Sequence, residues 1–374
     1  MNASILFVLT TLDRGGAETQ VLELARGWQR RGRDVRVASL IPGGVLLPAF
    51  EEAGLRTASL GMRRGIPDPR AAWRLADLMR RQQPDIVHGH MVHANLLSRT
   101  ARLVSPVRLL VNTAHSVDEE GRLREAAYRL TAPLCDLLTN VSLHGTERFR
   151  QLHLAPNARL RHVPNGIDPA RLAVTGDPRT ARRALGVPDR AWVWLSVGRL
   201  VPPKDPVTLV RAFAAHAAPD EVLLIAGRGE LDRDVKLAVR SLDVGNRVLL
   251  LGDRDDVPSL LAAADAVVLS SRWEGQPMVQ LEAAAARRLL IATAAPGTVD
   301  VVEDGVTGIL AAVGDVDALG AAMRHARALP PGAREAILAA AGAQLQSFTI
   351  ERVLDRWEEL YAAFLAPPAN RRTR

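Results

Sequence analysis

The chain has 374 residues, 48 basic against 41 acidic side chains and 48% apolar content. These values exclude an intrinsically disordered chain, and the length exceeds that of one typical domain. A single cysteine, Cys135, excludes an internal disulfide, a Cys-rich metal site and thiol-pair redox chemistry. The charge-free stretches Val37 to Phe50 and Ala336 to Ile350 fall short of the roughly 20 apolar residues a membrane span needs. The charge is unevenly placed. Residues 1–168 carry 23 arginines, no lysine and 16 acids, while residues 169–374 carry 25 basic and 25 acidic side chains, so the whole net charge of +7 lies in the first half. Such an excess suits an anionic partner, a membrane surface or a nucleic acid. Its densest part is Arg63, Arg64, Arg70, Arg74, Arg80 and Arg81, with Met62, Ile66 and Trp73 among them. A solvated helix surface accounts for that cluster equally well.

Ile5–Thr10 has no basic stretch before it and runs into a glycine turn, so it reads as a first strand, and a cytoplasmic location is expected. Short apolar runs then alternate with helical patterns: Val35–Leu40, Arg56–Ser59, Asp85–His88, Arg108–Thr113, Asp136–Val141 and Leu160–Val163 as strands, with helices such as Ala17–Arg30 and Pro69–Arg81 between them. The rhythm resets across the turn-rich stretch from Asn165 to Pro178. It resumes with strands Trp192–Val197, Val222–Ala226, Arg247–Leu251, Ala266–Ser270 and Leu289–Thr293, and a last helix at Ile350–Leu365. The fold class is therefore α/β, with two doubly wound parallel sheets. Domains are expected at 1–168 and 169–348, with a helix over 349–366 and a frayed tail over 367–374. Ligands of open α/β sheets gather at the carboxyl ends of strands, which points to a cleft between two such domains.

Three loops carry chemistry. Gly15 and Gly16 open the first helix, where close backbone approach and free N–H groups suit an anion. Neither this turn nor Gly227-Arg228-Gly229 has the G-x-G-x-x-G order of a dinucleotide site. Arg199 and Lys204 share the loop after Trp192–Val197, and Lys204 is one of two lysines in a chain that otherwise uses arginine. Paired cations there suit a diphosphate whose charge grows as its bond to carbon breaks. In Ser270–Glu282, Pro277 is expected as the first helical residue, with Gly275 or Gln276 as cap. Glu274 then lies on the loop and Glu282 in the second helical turn. Eight residues of helix rise about 12 Å, beyond the roughly 5–9.5 Å of a hydrolytic carboxylate pair. The two carboxylates therefore have separate tasks, Glu274 meeting a sugar and Glu282 a deeper group. N–H groups around Pro277, Met278 and Val279 are free to hold phosphate between them.

In these residues the chain resembles the retaining two-domain GT-B glycosyltransferases of family 4, the glycosyl transferases of group 1. The resemblance rests on Gly15-Gly16-Ala17-Glu18, Val163-Pro164-Asn165-Gly166-Ile167-Asp168, Gly198-Arg199-Leu200 with Lys204, and Glu274-x7-Glu282 in its Glu-Gly-x-Pro form. It implies that Arg199 and Lys204 bind the donor diphosphate, Glu282 the ribose, Glu274 the sugar hydroxyls, and Gly16 a phosphate. It also implies an active-site contact for His115, a C-terminal helix that crosses back to the first domain, and no metal cofactor. A capped strand-end residue is the other reading of His115. One departure is Pro296-Gly297-Thr298-Val299-Asp300, where the family commonly has Gly-Gly-x-x-Glu. Gly297 and Thr298 still offer contacts near the diphosphate, and Arg228 is counted with the donor-binding residues. The cluster His88, His90 and His93 invites a metal reading, but no acid or cysteine is adjacent and strand-end spacing is expected to splay the rings.

The resemblance implies transfer of a sugar from a nucleotide donor, by family frequency a UDP-sugar with a GDP-sugar the open alternative, to a hydroxyl acceptor with retention. A basic first domain suits a lipid-linked or surface-polysaccharide acceptor and peripheral contact with an anionic membrane, without a nucleic-acid partner. A non-catalytic nucleotide-sugar-binding protein and a UDP-sugar epimerase remain open from sequence, whereas two lysines make a pyridoxal-dependent phosphorylase improbable.

Overall fold

The computed structural model describes residues 3–66, 68–118, 121–172 and 177–366. Gly176 of the expected linker and the tail at 367–374 lie outside the described residues. The chain divides into two compact units, residues 1–166 with 350–374, and residues 167–349.

The first unit holds seven parallel strands: β1 (Ile5–Leu9), β2 (Val35–Ser39), β3 (Arg56–Ser59), β4 (Ile86–His90), β5 (Leu109–Ala114), β6 (Leu137–Asn140) and β7 (Leu160–His162). Their order is β3-β2-β1-β4-β5-β6-β7. Every residue of β1 is buried, as expected of a central strand covered on both faces. One face packs Phe7, Val21, Trp28, Ile86 and Val111; the other packs Leu6, Val8, Leu75, Val87 and Leu110. The terminal helix Ile350–Leu365 belongs to this unit and lies against the helix Gly16–Arg30. A Cβ at Gly27 would overlap the Leu354 side chain, so a glycine there lets the two helices close. Arg31 bonds Asp355 at 2.7 Å, and Trp28 stacks on Tyr361 with ring centres 5.7 Å apart.

The second unit holds β8 (Trp192–Val197), β9 (Glu221–Ala226), β10 (Val248–Gly252), β11 (Ala266–Leu269), β12 (Leu289–Thr293) and β13 (Ile309–Ala311), in the order β10-β9-β8-β11-β12-β13. This is the nucleotide-binding arrangement in which strand order reverses beside the first strand. In the first unit the reversal falls between β1 and β4; here it falls between β8 and β11. The loops leaving β1, β4, β8 and β11 therefore flank the two switch points, and they include the Gly15-Gly16, Arg199–Lys204 and Ser270–Pro277 segments.

Candidate functional site

In the second unit, the loops after β8 and β11 are fastened together. The Ser270 hydroxyl donates to the carbonyls of Lys204 and Asp205, both at 2.9 Å, and Arg272 N donates to Pro203 O at 2.7 Å. Asp205 sits in the left-handed region at φ 44°, caps the helix Pro206–His216 and pairs with Arg272 Nε at 2.9 Å. This frame sets Lys204 against Glu274: Lys204 Nζ donates to Glu274 Oε1, which also accepts from the Ser271 hydroxyl at 2.5 Å. Glu274 is 8% exposed, and its backbone N donates to Pro296 O at 2.9 Å. That bond joins the loop to the Pro296–Thr298 turn. Gly297, at φ +85°, is required there, because a Cβ would overlap the carbonyl oxygens of Glu274 and Gly275. Thr298 is fully buried, and its hydroxyl has no hydrogen-bond partner among the described residues. Its backbone N is already committed to Ala295 O at 3.0 Å.

Arg199 and Arg228 are exposed on neighbouring loops. Gly227, at φ +141°, lets its loop cross Gly198, whose carbonyl oxygen a Cβ would overlap. Among the described residues neither guanidinium makes an ion pair. These cations are thus open to an incoming anion, whereas Lys204 is held by a carboxylate.

The helix at this site spans Met278–Ala285. Pro277 was expected inside it; instead Pro277 is the cap, with ψ 123°, and Met278 is the first helical residue. The extended ψ is what lets the loop bring Glu274 back to Lys204 before the helix begins. Among the described residues no side chain caps the first turn, so the N–H groups of Met278 and Val279 keep the free donors of a helix start. Glu282 follows in the second turn, half-buried and without a hydrogen bond or ion pair among the described residues. Burial pushes its carboxyl up to about 7.

In the first unit the turn at Gly15 is less open than the sequence implies. A Cβ on Gly15 would overlap the Glu18 carboxylate, which is buried and accepts from the Thr11 hydroxyl at 3.0 Å. The Glu18 side chain already stands over this helix start.

The histidines form a ladder, which sequence reasoning missed. His88 and His90 lie two apart on β4, share one face of the sheet, and have ring centres 4.1 Å apart rather than splayed. Met91, at φ 69°, turns the chain, so His93 stands exposed on the helix Val92–Arg102, apart from the other two. His88 bonds the Tyr361 hydroxyl and the Thr113 hydroxyl, both at 2.7 Å. His90 Nδ1 meets His115 Nε2 at 2.9 Å. Burial holds His88 and His90 well below the usual imidazole range and brings His115 to about 4. Alternation along β4 was the available signal for the shared face; the partner from the terminal helix left none. Among the described residues no group of three metal-ligating side chains is placed to hold an ion.

Five of the six arginines of the basic stretch pair locally, sharing three aspartates, so about half of its charge is offset. Arg64 pairs with Asp13, Arg70 and Arg74 with Asp68, and Arg80 and Arg81 with Asp77. A different apolar surface stands out on the helix Arg122–Thr131, where Leu123 and Leu130 are 88% and 83% exposed. No described helix is long and apolar enough to cross a membrane.

Comparison with known proteins places this geometry. Residues 14–171 match the Glycosyltransferase Family 4 model and residues 177–341 the model for Glycosyl transferases group 1. The D-inositol 3-phosphate glycosyltransferase of Actinosynnema mirum is 31% identical over 394 aligned positions, covering 95% of this chain and 93% of that one. The UDP-Gal:alpha-D-GlcNAc-diphosphoundecaprenol alpha-1,3-galactosyltransferase of Escherichia coli is 30% identical over 269, covering 67% and 68%. The crystal structure of Anabaena HepE in complex with UDP and glucose superposes with a TM-score of 0.86 at 22% identity, covering 96% of this chain and all of that one. Two parallel-sheet units with loops built at their switch points, and sequence matches running through both, carry one conclusion: this chain belongs to the group 1, family 4 glycosyltransferases and has their GT-B fold.

Proposed function

We propose that this glycosyltransferase moves a sugar from a nucleotide diphosphate, a UDP-sugar, to a hydroxyl acceptor with retention at the anomeric carbon. The observation that carries the reading is the second unit's loop assembly, where Lys204, Glu274 and Ser271 form a bonded cluster beside two open guanidinium groups and an uncapped helix start. The donor diphosphate would be met by Arg199, Arg228 and the N–H groups of Met278 and Val279, with Lys204 at the leaving oxygen. Glu274 would accept from hydroxyls of the transferred sugar and Glu282 from the ribose. The Thr298 hydroxyl and the Gly297 backbone stand on the adjoining turn. As the bond from the anomeric carbon to the diphosphate oxygen breaks, the acceptor oxygen bonds that carbon on the same face, and its proton passes to a leaving phosphate oxygen. Protein cations supply the charge a metal would otherwise bring, so the reaction needs none.

The first unit would bind the acceptor, with His115 contacting the donor sugar. The Escherichia coli relative is named for a UDP-Gal donor and a diphosphoundecaprenol-linked acceptor, which supports a UDP-sugar and a lipid-linked or surface-polysaccharide intermediate here. Peripheral contact with an anionic membrane belongs to the same reading, and the exposed Leu123 and Leu130 beside Arg122 and Arg129 support it. Liposome flotation with and without anionic lipid tests that part; equal recovery removes it. The transfer itself is tested by incubating the protein with UDP- and GDP-sugars and polyprenyl-diphosphate acceptors in the presence of EDTA, then determining the product anomer. An intact donor would leave a binding protein, an epimerised donor would leave an epimerase, and an inverted product would remove retention.

A further inference from the structure

The ladder of histidines in the first unit fixes which proton His115 offers. From the network we infer that His90 is a positioning residue: its Nδ1–H donates to His115 Nε2 and locks His115 into the tautomer whose Nδ1–H is free to donate to a substrate oxygen.

The inference follows from counting protons. Around His88 one arrangement satisfies every group: Tyr361 O–H donates to His88 Nδ1, His88 Nε2–H to Thr113 Oγ1, and Thr113 O–H to Thr139 Oγ1 at 2.7 Å. Thr139 O–H then donates to Asn112 O at 3.4 Å. His88 is thereby held in place, and it stacks on His90 with ring centres 4.1 Å apart; Phe7 lies 5.5 Å from the His90 ring. The His90 ring is thus clamped, with Nδ1 on His115 at 2.9 Å and a buried Nε2 that has no partner among the described residues. A neutral His90 has one N–H. Placing it on Nε2 would bury a donor with no acceptor, whereas placing it on Nδ1 leaves only an unmatched lone pair, the less costly defect. His90 therefore donates and His115 Nε2 accepts. The His115 proton must then sit on Nδ1, opposite to the tautomer histidine prefers in water. Among the described residues His115 Nδ1 has no partner. It is a preset donor to a sugar hydroxyl or phosphate oxygen.

The substrate contact rests on the reading of His115 given above; the tautomer does not. Nitrogen-15 NMR of the ring-labelled full-length protein separates them, with His115 assigned by its loss in His115→Gln. The expected spectrum has a pyrrole-type Nδ1 and a pyridine-type Nε2 at His115. An Nε2–H tautomer in the unmodified protein overturns the inference whatever the activity. His90→Phe keeps the ring stack but not the donor, and His90→Gln keeps a buried amide should the first variant fold poorly. In a folded His90→Phe protein, His115 should revert to Nε2–H and kcat should fall about a hundredfold with little change in donor KM, as for loss of one preorganised donor. An unchanged tautomer there overturns the inference. A reverted tautomer with unchanged kcat, matched by full activity in His115→Gln, overturns only the substrate contact.

Discussion

Lys204 and Glu274 are joined nitrogen to oxygen, and the oxygen that Lys204 holds is the one that also accepts from Ser271. The ammonium is thus anchored before any donor arrives, and a carboxylate that would otherwise repel a diphosphate is neutralised. Lys204→Ala should lower turnover about a hundredfold or more, because it removes a fixed positive group from the leaving oxygens. It also leaves a buried carboxylate with only its hydroxyl partner, at a cost of about 1–3 kcal/mol of folding stability. Lys204→Arg should not restore the rate, since a planar fork cannot occupy the place of a compact ammonium. Steady-state kinetics with a nucleotide sugar check this, and wild-type turnover in Lys204→Ala would place the diphosphate elsewhere.

Glu282 carries a pH signature. Its carboxyl is raised from 4.5 to about 7, so between these values the folded chain keeps a proton that the unfolded chain has released. Stability therefore falls as pH rises through this window, by about 3 kcal/mol in all at 1.36 kcal/mol per unit. Glu282→Gln should be more stable than the parent at pH 8 and equal to it below pH ~4.5, read from denaturant midpoints. Ribose hydroxyls donate to the carboxylate form, so donor affinity should rise about tenfold per pH unit below 7 and then level off. A nucleotide sugar is the suitable ligand, because its diester phosphates do not titrate there. In Glu282→Gln the affinity should be weaker and flat with pH.

Much of this site was legible in the chain because single segments carry it. Each of the five strands expected in the second half is present, and the terminal helix Ile350–Leu365 has its expected limits. Buried parallel strands are continuous apolar runs, which need no partner to be recognised. What was illegible depends on long-range contacts. Strand β13 is three residues long, too short for a periodic signal. Pro277 fits the first helical position by propensity, yet the tether from Glu274 to Lys204, seventy residues away, holds it one place earlier. The histidine spacing hid the stack because Tyr361, which braces it, lies 273 residues further on.

The ladder should make the first unit acid-labile. His115 titrates at about 4, and His88 and His90 are held lower than usual by burial, while all three return to about 6.5 on unfolding. For His115, from pH ~6.5 down to ~4 the unfolded chain binds a proton that the folded chain refuses, so stability falls with pH by about 1.4 kcal/mol per unit; the lowered His88 and His90 act in the same direction. Hydrogen exchange followed separately in the two units should show the first opening as pH drops from 6.5 to 5, while the second, where Glu282 keeps its proton, should become harder to open. Replacing His115 with Asn should remove one proton from that slope.

Gly297 tests whether the turn behind Glu274 sets the position of the carboxylate. At φ +85° any side chain is strained by about 1–2 kcal/mol, and here a Cβ would also overlap the carbonyl oxygens of Glu274 and Gly275. Gly297→Ala should therefore push the Glu274 loop away from Lys204 and weaken donor binding beyond the effect of lost stability. Gly305 is the matched control, since its φ of +70° imposes the same strain but a Cβ there meets nothing within 4 Å. Gly305→Ala should cost about 1 kcal/mol or more of stability and leave donor affinity unchanged. Calorimetric titration of both variants with a nucleotide sugar decides it. Equal affinities would mean that Glu274 keeps its place without the close crossing, and that Gly297 is needed only for its own backbone conformation.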